Sequence, residues 1–192
     1  MKDIPRFAAT LTIVALIAAG SLAWVNEITK PKILIQQQKE LKEALAYVLP
    51  GSKTGVIVPV KENRKIIYYM GYKDKKKKQF IGYAFLVLSK GYSSTIRTLV
   101  GMDSTGTIFA IRVLSQQETP GLGSRCQEIR NGETTPWWQK QFSGEKATNI
   151  CVDKDGGQIQ AITGATITSR AITNGISAKA KWLLKKIGRS QK

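Results

Sequence analysis

Chemistry in this chain is concentrated in two short stretches. Residues 161–173 read "AITGATITSRAIT", rich in Thr and Ser but free of His, Cys, Asp and Glu. Residues 118–125 read "ETPGLGSR", where a proline and two glycines interrupt regular structure. Hydroxyls without a neighbouring base do not make a hydrolytic site. Placed before a helix they have three uses: capping the helix, hydrogen-bonding an anion at its N-terminus, or carrying a phosphate as an ester. Gly164 and Ala165 leave room for a bulky group beside Thr166, and Arg170 follows one turn later.

Composition removes other chemistries. The chain has 192 residues, no His and only two cysteines, Cys126 and Cys151. That excludes histidine acid–base chemistry and histidine-ligated haem or zinc, and two thiols cannot hold a four-thiolate iron–sulfur cluster. The cysteines either form a disulfide in an oxidising compartment or stay as free thiols. A redox role therefore requires an organic cofactor or a partner's metal. The formal net charge is +17, which suits an anionic membrane surface or an acidic protein partner. The lysine run at residues 73–78 carries no interleaved aromatics, which argues against nucleic acid. It reads as a solvated loop between strands.

The elements that position the two stretches follow from hydrophobic patterning. Residues 7–25, "FAATLTIVALIAAGSLAWV", are uncharged and nearly long enough to span a hydrocarbon core, with Lys2 and Arg6 before them and Trp24 at the far edge. A cleaved signal peptide is the rival reading. A retained anchor with a cytoplasmic N-terminus and an exported C-terminal domain is the simplest topology. After Pro31, apolar Ile33, Leu34, Leu41, Leu45 and Val48 predict an amphipathic connecting helix that stops at Pro50 and Gly51. Four strand-like runs at residues 65–72, 80–89, 94–103 and 107–116 predict an antiparallel meander. "WWQKQF" (137–142) reads as a short aromatic helix on the sheet. A final helix begins near Thr166 or Thr168 and carries Ile172, Ile176, Ala180, Leu183 and Leu184 on one face.

"TGATITS" behind "ETPGLG", in that order and after a single anchor, resembles the flavin-binding domain of the G subunit of Rnf electron-transport complexes. It is also similar to the C subunit of the sodium-translocating NADH:quinone reductase. The resemblance covers the whole chain. It implies an α+β fold: an N-terminal transmembrane helix (1–28), a connecting helix and linker (29–62), and an FMN-binding domain (63–192) with an antiparallel sheet packed by helices. It implies FMN as cofactor, joined through a phosphoester to Thr166. Thr163, Gly164, Ala165 and Ser169 would shape the attachment motif, while Glu118, Thr119 and Leu122 would meet the flavin ring. Relatives often read "GYGG" where this chain has "GYSS" (91–94), and often carry Asp six residues before the modified threonine, where this chain has Gln160.

The function implied is that of an electron carrier, not a stand-alone enzyme, with no metal and no catalytic side chain. It would sit in the cytoplasmic membrane with its soluble domain outside, among the other membrane and redox subunits of an ion-translocating ferredoxin:NAD oxidoreductase. A flavin transferase would mature it, using FAD as donor. The quinone-reductase C subunit is the alternative within the family, and a cofactor-free, membrane-anchored basic binding protein is the alternative outside it. No G-x-G-x-x-G fingerprint for NAD is present.

Overall fold

The computed structural model describes residues 3–52 and 54–190. Lys2, counted above as part of the anchor's basic flank, lies outside them. The chain divides into two compact units, with the boundary between Leu41 and Lys42.

The first unit is helical. Helix α1 runs Ile4–Val48 without a break, and Pro31 lies inside it. The expected anchor and the helix expected after Pro31 therefore form one continuous helix among the described residues. Proline removes one intrahelical hydrogen bond and crowds one carbonyl, and neighbouring turns of a long helix absorb that loss. The apolar side chains of the N-terminal half stand outward, with Leu11 and Leu22 about 70% and 73% exposed. By length and composition α1 can cross a membrane.

The second unit is built on five antiparallel strands in the order β1 (Val56–Glu62), β2 (Lys65–Tyr72), β3 (Phe80–Lys90), β4 (Thr95–Met102) and β5 (Ile108–Ser115). Four of these are the expected meander. β1 is additional, and it is an edge strand, the place where a strand tolerates a residue such as Pro59 that cannot donate. The lysine run forms the exposed β2–β3 connection, folded around Asp74, whose carboxylate accepts the amides of Lys78 and Gln79.

β4 is buried on every residue from Thr98 to Met102, because the sheet is covered on both faces. On one face lie the last turn of α1 and its end, which belong to this second unit, through Ala44, Leu45, Val48 and Leu49. Gly101 lets them approach, since a Cβ there would overlap the Val48 carbonyl. On the other face lies α3 (Thr166–Ser190), burying Ile172, Ile176, Ala180 and Leu183. These are four of the five apolar positions expected of it, and Leu184 packs against the same core. The one-turn helix α2 (Trp137–Lys140) sets Trp138 in this core against Phe142, with ring centroids 5.0 Å apart. Burying these large side chains stabilises the unit by about 2 kcal/mol each.

Candidate functional site

The segment 116–123 leaves β5 and returns beside the start of α3. The link is Glu118, 5% exposed, whose carboxylate is fully engaged. It accepts the amides of Tyr92 (3.0 Å), Ser93 (3.2 Å) and Ser94 (2.9 Å) and the Ser94 hydroxyl (2.8 Å). From α3 it accepts the Thr168 hydroxyl at 2.6 Å. Burial alone would raise the carboxyl pKa. The hydrogen bonds from Thr168, Ser94 and the Tyr92 amide outweigh it and hold the pKa at about 2. Glu118 thus binds three separate segments into one wall. The "GYSS" loop comes close through its amides, and a Cβ on Gly91 would meet the Glu118 carboxylate at 2.6 Å.

This wall encloses a cleft of about 450 Å³, within the range of small-molecule sites. Of the residues expected at the site, Glu118, Thr119, Leu122, Gly164, Ala165 and Thr166 line it together. Thr163 is exposed at the turn, and Ser169 is buried behind it. Ser169 Oγ accepts the Ile162 amide (3.0 Å) and donates to the Ala165 carbonyl (3.0 Å), closing the turn from below. Helix capping, one of the uses open to the hydroxyl run, is not what the Thr168 and Ser169 hydroxyls do. The residue before the first helical position is Ala165, whose carbonyl accepts the Ser169 amide. Tyr92, Gly123, Ile167 and Thr168 also line the cleft. Sequence reasoning did not assign them, although Thr168 lay in the same hydroxyl run.

Two glycines keep the cleft open. Gly164 sits at φ +77°, which side-chain-bearing residues rarely adopt, and a Cβ there would press on Leu122 at 2.9 Å. A Cβ on Gly123 would come within 2.7 Å of both Glu118 Cβ and the Thr168 hydroxyl. Leu122 and Ile167 present exposed apolar surface at the mouth, 42% and 53% accessible. Thr166 is half-buried as the first residue of a 25-residue helix, and its hydroxyl is unengaged among the described residues. The amides of Thr166, Ile167 and Thr168 likewise meet no acceptor there. Free amides and the helix dipole together favour an anion such as a phosphate. Arg170 is already committed: its guanidinium grips Asp155 through two bonds of 2.6 Å.

Behind the cleft, the Gln160 main chain is held on both sides. Its amide donates to the Gln141 side chain (2.8 Å), and its carbonyl accepts the Trp138 indole N–H (2.8 Å). Its side chain is exposed. Both cysteines are free thiols, Cys126 fully buried and Cys151 partly so. Burial, with the nearby Glu118 charge, pushes the Cys126 thiol up to about 12 and makes it inert.

An apolar-mouthed cleft that ends at a helix N-terminus, in an antiparallel α+β unit, has the features of a site for an organic ligand with an anionic group. Residues 91–181 match the FMN-binding domain family, and residues 1–48 match the RnfG N-terminal region. The G subunit of the ion-translocating oxidoreductase complex of Salmonella typhi is 32% identical over 185 residues, covering 92% of this chain and 89% of that protein. Its counterpart of the same name from Methanosarcina acetivorans is 29% identical, covering 95% of each. A crystal structure of NqrC from Shewanella oneidensis is 20% identical with a TM-score of 0.46, covering 62% of this chain and 60% of that one. The chain belongs to the family of G subunits of ion-translocating oxidoreductase complexes.

Proposed function

We propose that this chain is a membrane-anchored electron-carrier subunit of an Rnf-type ion-translocating complex and that it holds FMN covalently through Thr166. One observation carries the reading: the unengaged Thr166 hydroxyl stands beside three acceptor-free amides at the rim of a preformed cleft. The residues fit the cofactor. The amides of Thr166, Ile167 and Thr168 would hold the phosphate, and the dipole of α3 would add to their attraction. Leu122 and Ile167 would shield a flat apolar ring from water, while Gly164 and Gly123 keep its approach clear. When bound, FMN supplies electron chemistry that no side chain of the cleft provides.

Attachment is assigned to a separate flavin transferase acting on FAD. The Thr166 oxygen displaces AMP from the FMN phosphorus, so that one P–O bond forms, one breaks and the hydroxyl proton is released. The N-terminal half of α1 serves as a single membrane span. The folded unit stands on the extracytoplasmic side, where protease added to intact spheroplasts would reach it.

The test is co-expression with a flavin transferase, followed by a denaturing gel viewed under ultraviolet light. The wild-type band fluoresces and Thr166→Val is dark. A dark wild-type band, alongside a control protein that the same transferase has labelled, would refute the reading.

A further inference from the structure

Strand β2 stays beside β3 only as far as the pair Tyr69↔Ala84. Its earlier residues pair with β1 alone. β3 continues to Lys90 with β4 on its other side, in unbroken register from Tyr83↔Met102 to Lys90↔Thr95. The facing of that free edge follows from one bond. Gly91 N–H donates to the Ser94 carbonyl at 2.8 Å, one step beyond Lys90↔Thr95. Odd-numbered residues of β3 therefore turn their main chain toward β4. Leu86 and Leu88 turn theirs to the side that β2 has left, where no strand pairs with them among the described residues.

Helix α3 runs alongside this edge. Leu86, Val87 and Leu88 face Gly175, Ala178, Lys179 and Trp182 across a groove of about 490 Å³. Leu88 is 64% exposed and Trp182 42%. Lys179 lies over the Trp182 ring at 3.9 Å. It has no acidic partner among the described residues. No Asp or Glu is among the residues that line the groove, so its one charged side chain is the Lys179 ammonium. Lys186 pairs with Glu62. From Thr166 to Gly175 the helix rises about 14 Å, which separates the groove from the cleft.

We propose that this groove receives an extended segment of a partner subunit, which adds to β3 as a further strand and sets a carboxylate against Lys179. Leu86 and Leu88 each donate an amide and accept at a carbonyl, giving the segment its alignment. Trp182 and Leu88 cover its apolar side chains, and Lys179 selects for an acidic residue. Strand addition of this kind draws affinity from main-chain bonds and specificity from alternate side chains. It also accounts for an open edge that would otherwise invite aggregation. That the partner is another subunit of the same complex rests on the function proposed above.

The test uses the full-length chain in detergent, alone and co-purified with the remaining subunits, with hydrogen–deuterium exchange followed in fragments covering residues 84–90. The Leu86 and Leu88 amides exchange rapidly in the isolated chain and roughly tenfold or more slowly in the complex. Leu88→Pro removes an outward amide without breaking a β4 bond, and it weakens co-purification roughly fivefold. Lys179→Glu weakens it roughly tenfold, and Lys179→Arg retains it. Rapid exchange of both amides in the assembled complex, or unchanged co-purification of Lys179→Glu, overturns the proposal. So does protection in the isolated chain accompanied by a dimer in sedimentation, which would assign the edge to a second copy. The flavin band is scored in the same samples. Its absence from wild type counts against the cofactor reading, while the exchange result still decides the groove.

Discussion

Glu118 shows how far a residue type can be read and where reading stops. The motif marked it as a site residue, but its partners lie 24 to 50 positions away, and only folding brings them together. Its carboxyl is held at about 2 against an ordinary value of 4.5. A depressed folded pKa means stabilisation that is complete above the unfolded value and lost as pH falls through the folded one. The shift corresponds to on the order of 3 kcal/mol. The unfolding midpoint of the wild type therefore drops as pH falls from about 5 to about 2. Glu118→Gln is less stable near neutral pH, and its deficit shrinks across that window. Denaturant titrations at a series of pH values check this. A deficit independent of pH would mean that packing, not charge, is what Glu118 contributes. Thr168→Val removes the shortest of its bonds and leaves a buried carboxylate oxygen short of a donor, at a cost of about 2 kcal/mol.

At the scale of elements, the meander and the final helix were legible because their patterns are local. Alternation and β-branched runs marked β2 to β5 within a residue or two, and the apolar face of α3 appeared at helical spacing. Two features were hidden. Pro59 disguised β1, since whether a strand lies at an edge is not a local property. Pro31, lying between the expected anchor and the expected connecting helix, hid that the two are one helix, a continuity that costs one hydrogen bond. A third element-level feature is the close approach of α3 to β3. A Cβ on Gly175 would overlap Ser89 Oγ and lie 3.1 Å from a Val87 methyl. Ser89 Oγ is buried without a partner. Helix propensity alone favours Gly175→Ala by about 1 kcal/mol. Overpacking reverses that, so the single variant is destabilised by about 1–2 kcal/mol. Ser89→Ala removes the obstructing oxygen, and the double variant is at least as stable as wild type. Thermal unfolding of the four proteins in the cycle measures the coupling. Additive effects would show that the two elements do not meet here.

For the whole molecule, the dominant property is a net charge of +17. Exposed charges steer encounters and are screened beyond about 8–10 Å at physiological salt. If acidic partners use this field, electron exchange with neighbouring subunits slows as salt rises, as stopped-flow measurements in graded salt would show. Rates that ignore salt would leave the lysines a solubilising role only. The charge was visible in the composition, but its arrangement was not. The lysine run proved to be a surface loop, while Lys179 stands over Trp182 in a groove formed by elements distant in sequence.

Gln160 carries the last consequence. The fold grips it by its amide and carbonyl, through Gln141 and Trp138, and leaves its side chain in solvent. Gln160→Asp should then change stability by no more than about 0.5 kcal/mol, while flavin incorporation per hour, read from band fluorescence, rises if the transferase prefers an acid there. One residue would serve two readers, the folding chain through its backbone and a modifying enzyme through its side chain. The address for maturation could then drift or be rewritten while the architecture beneath it stays fixed.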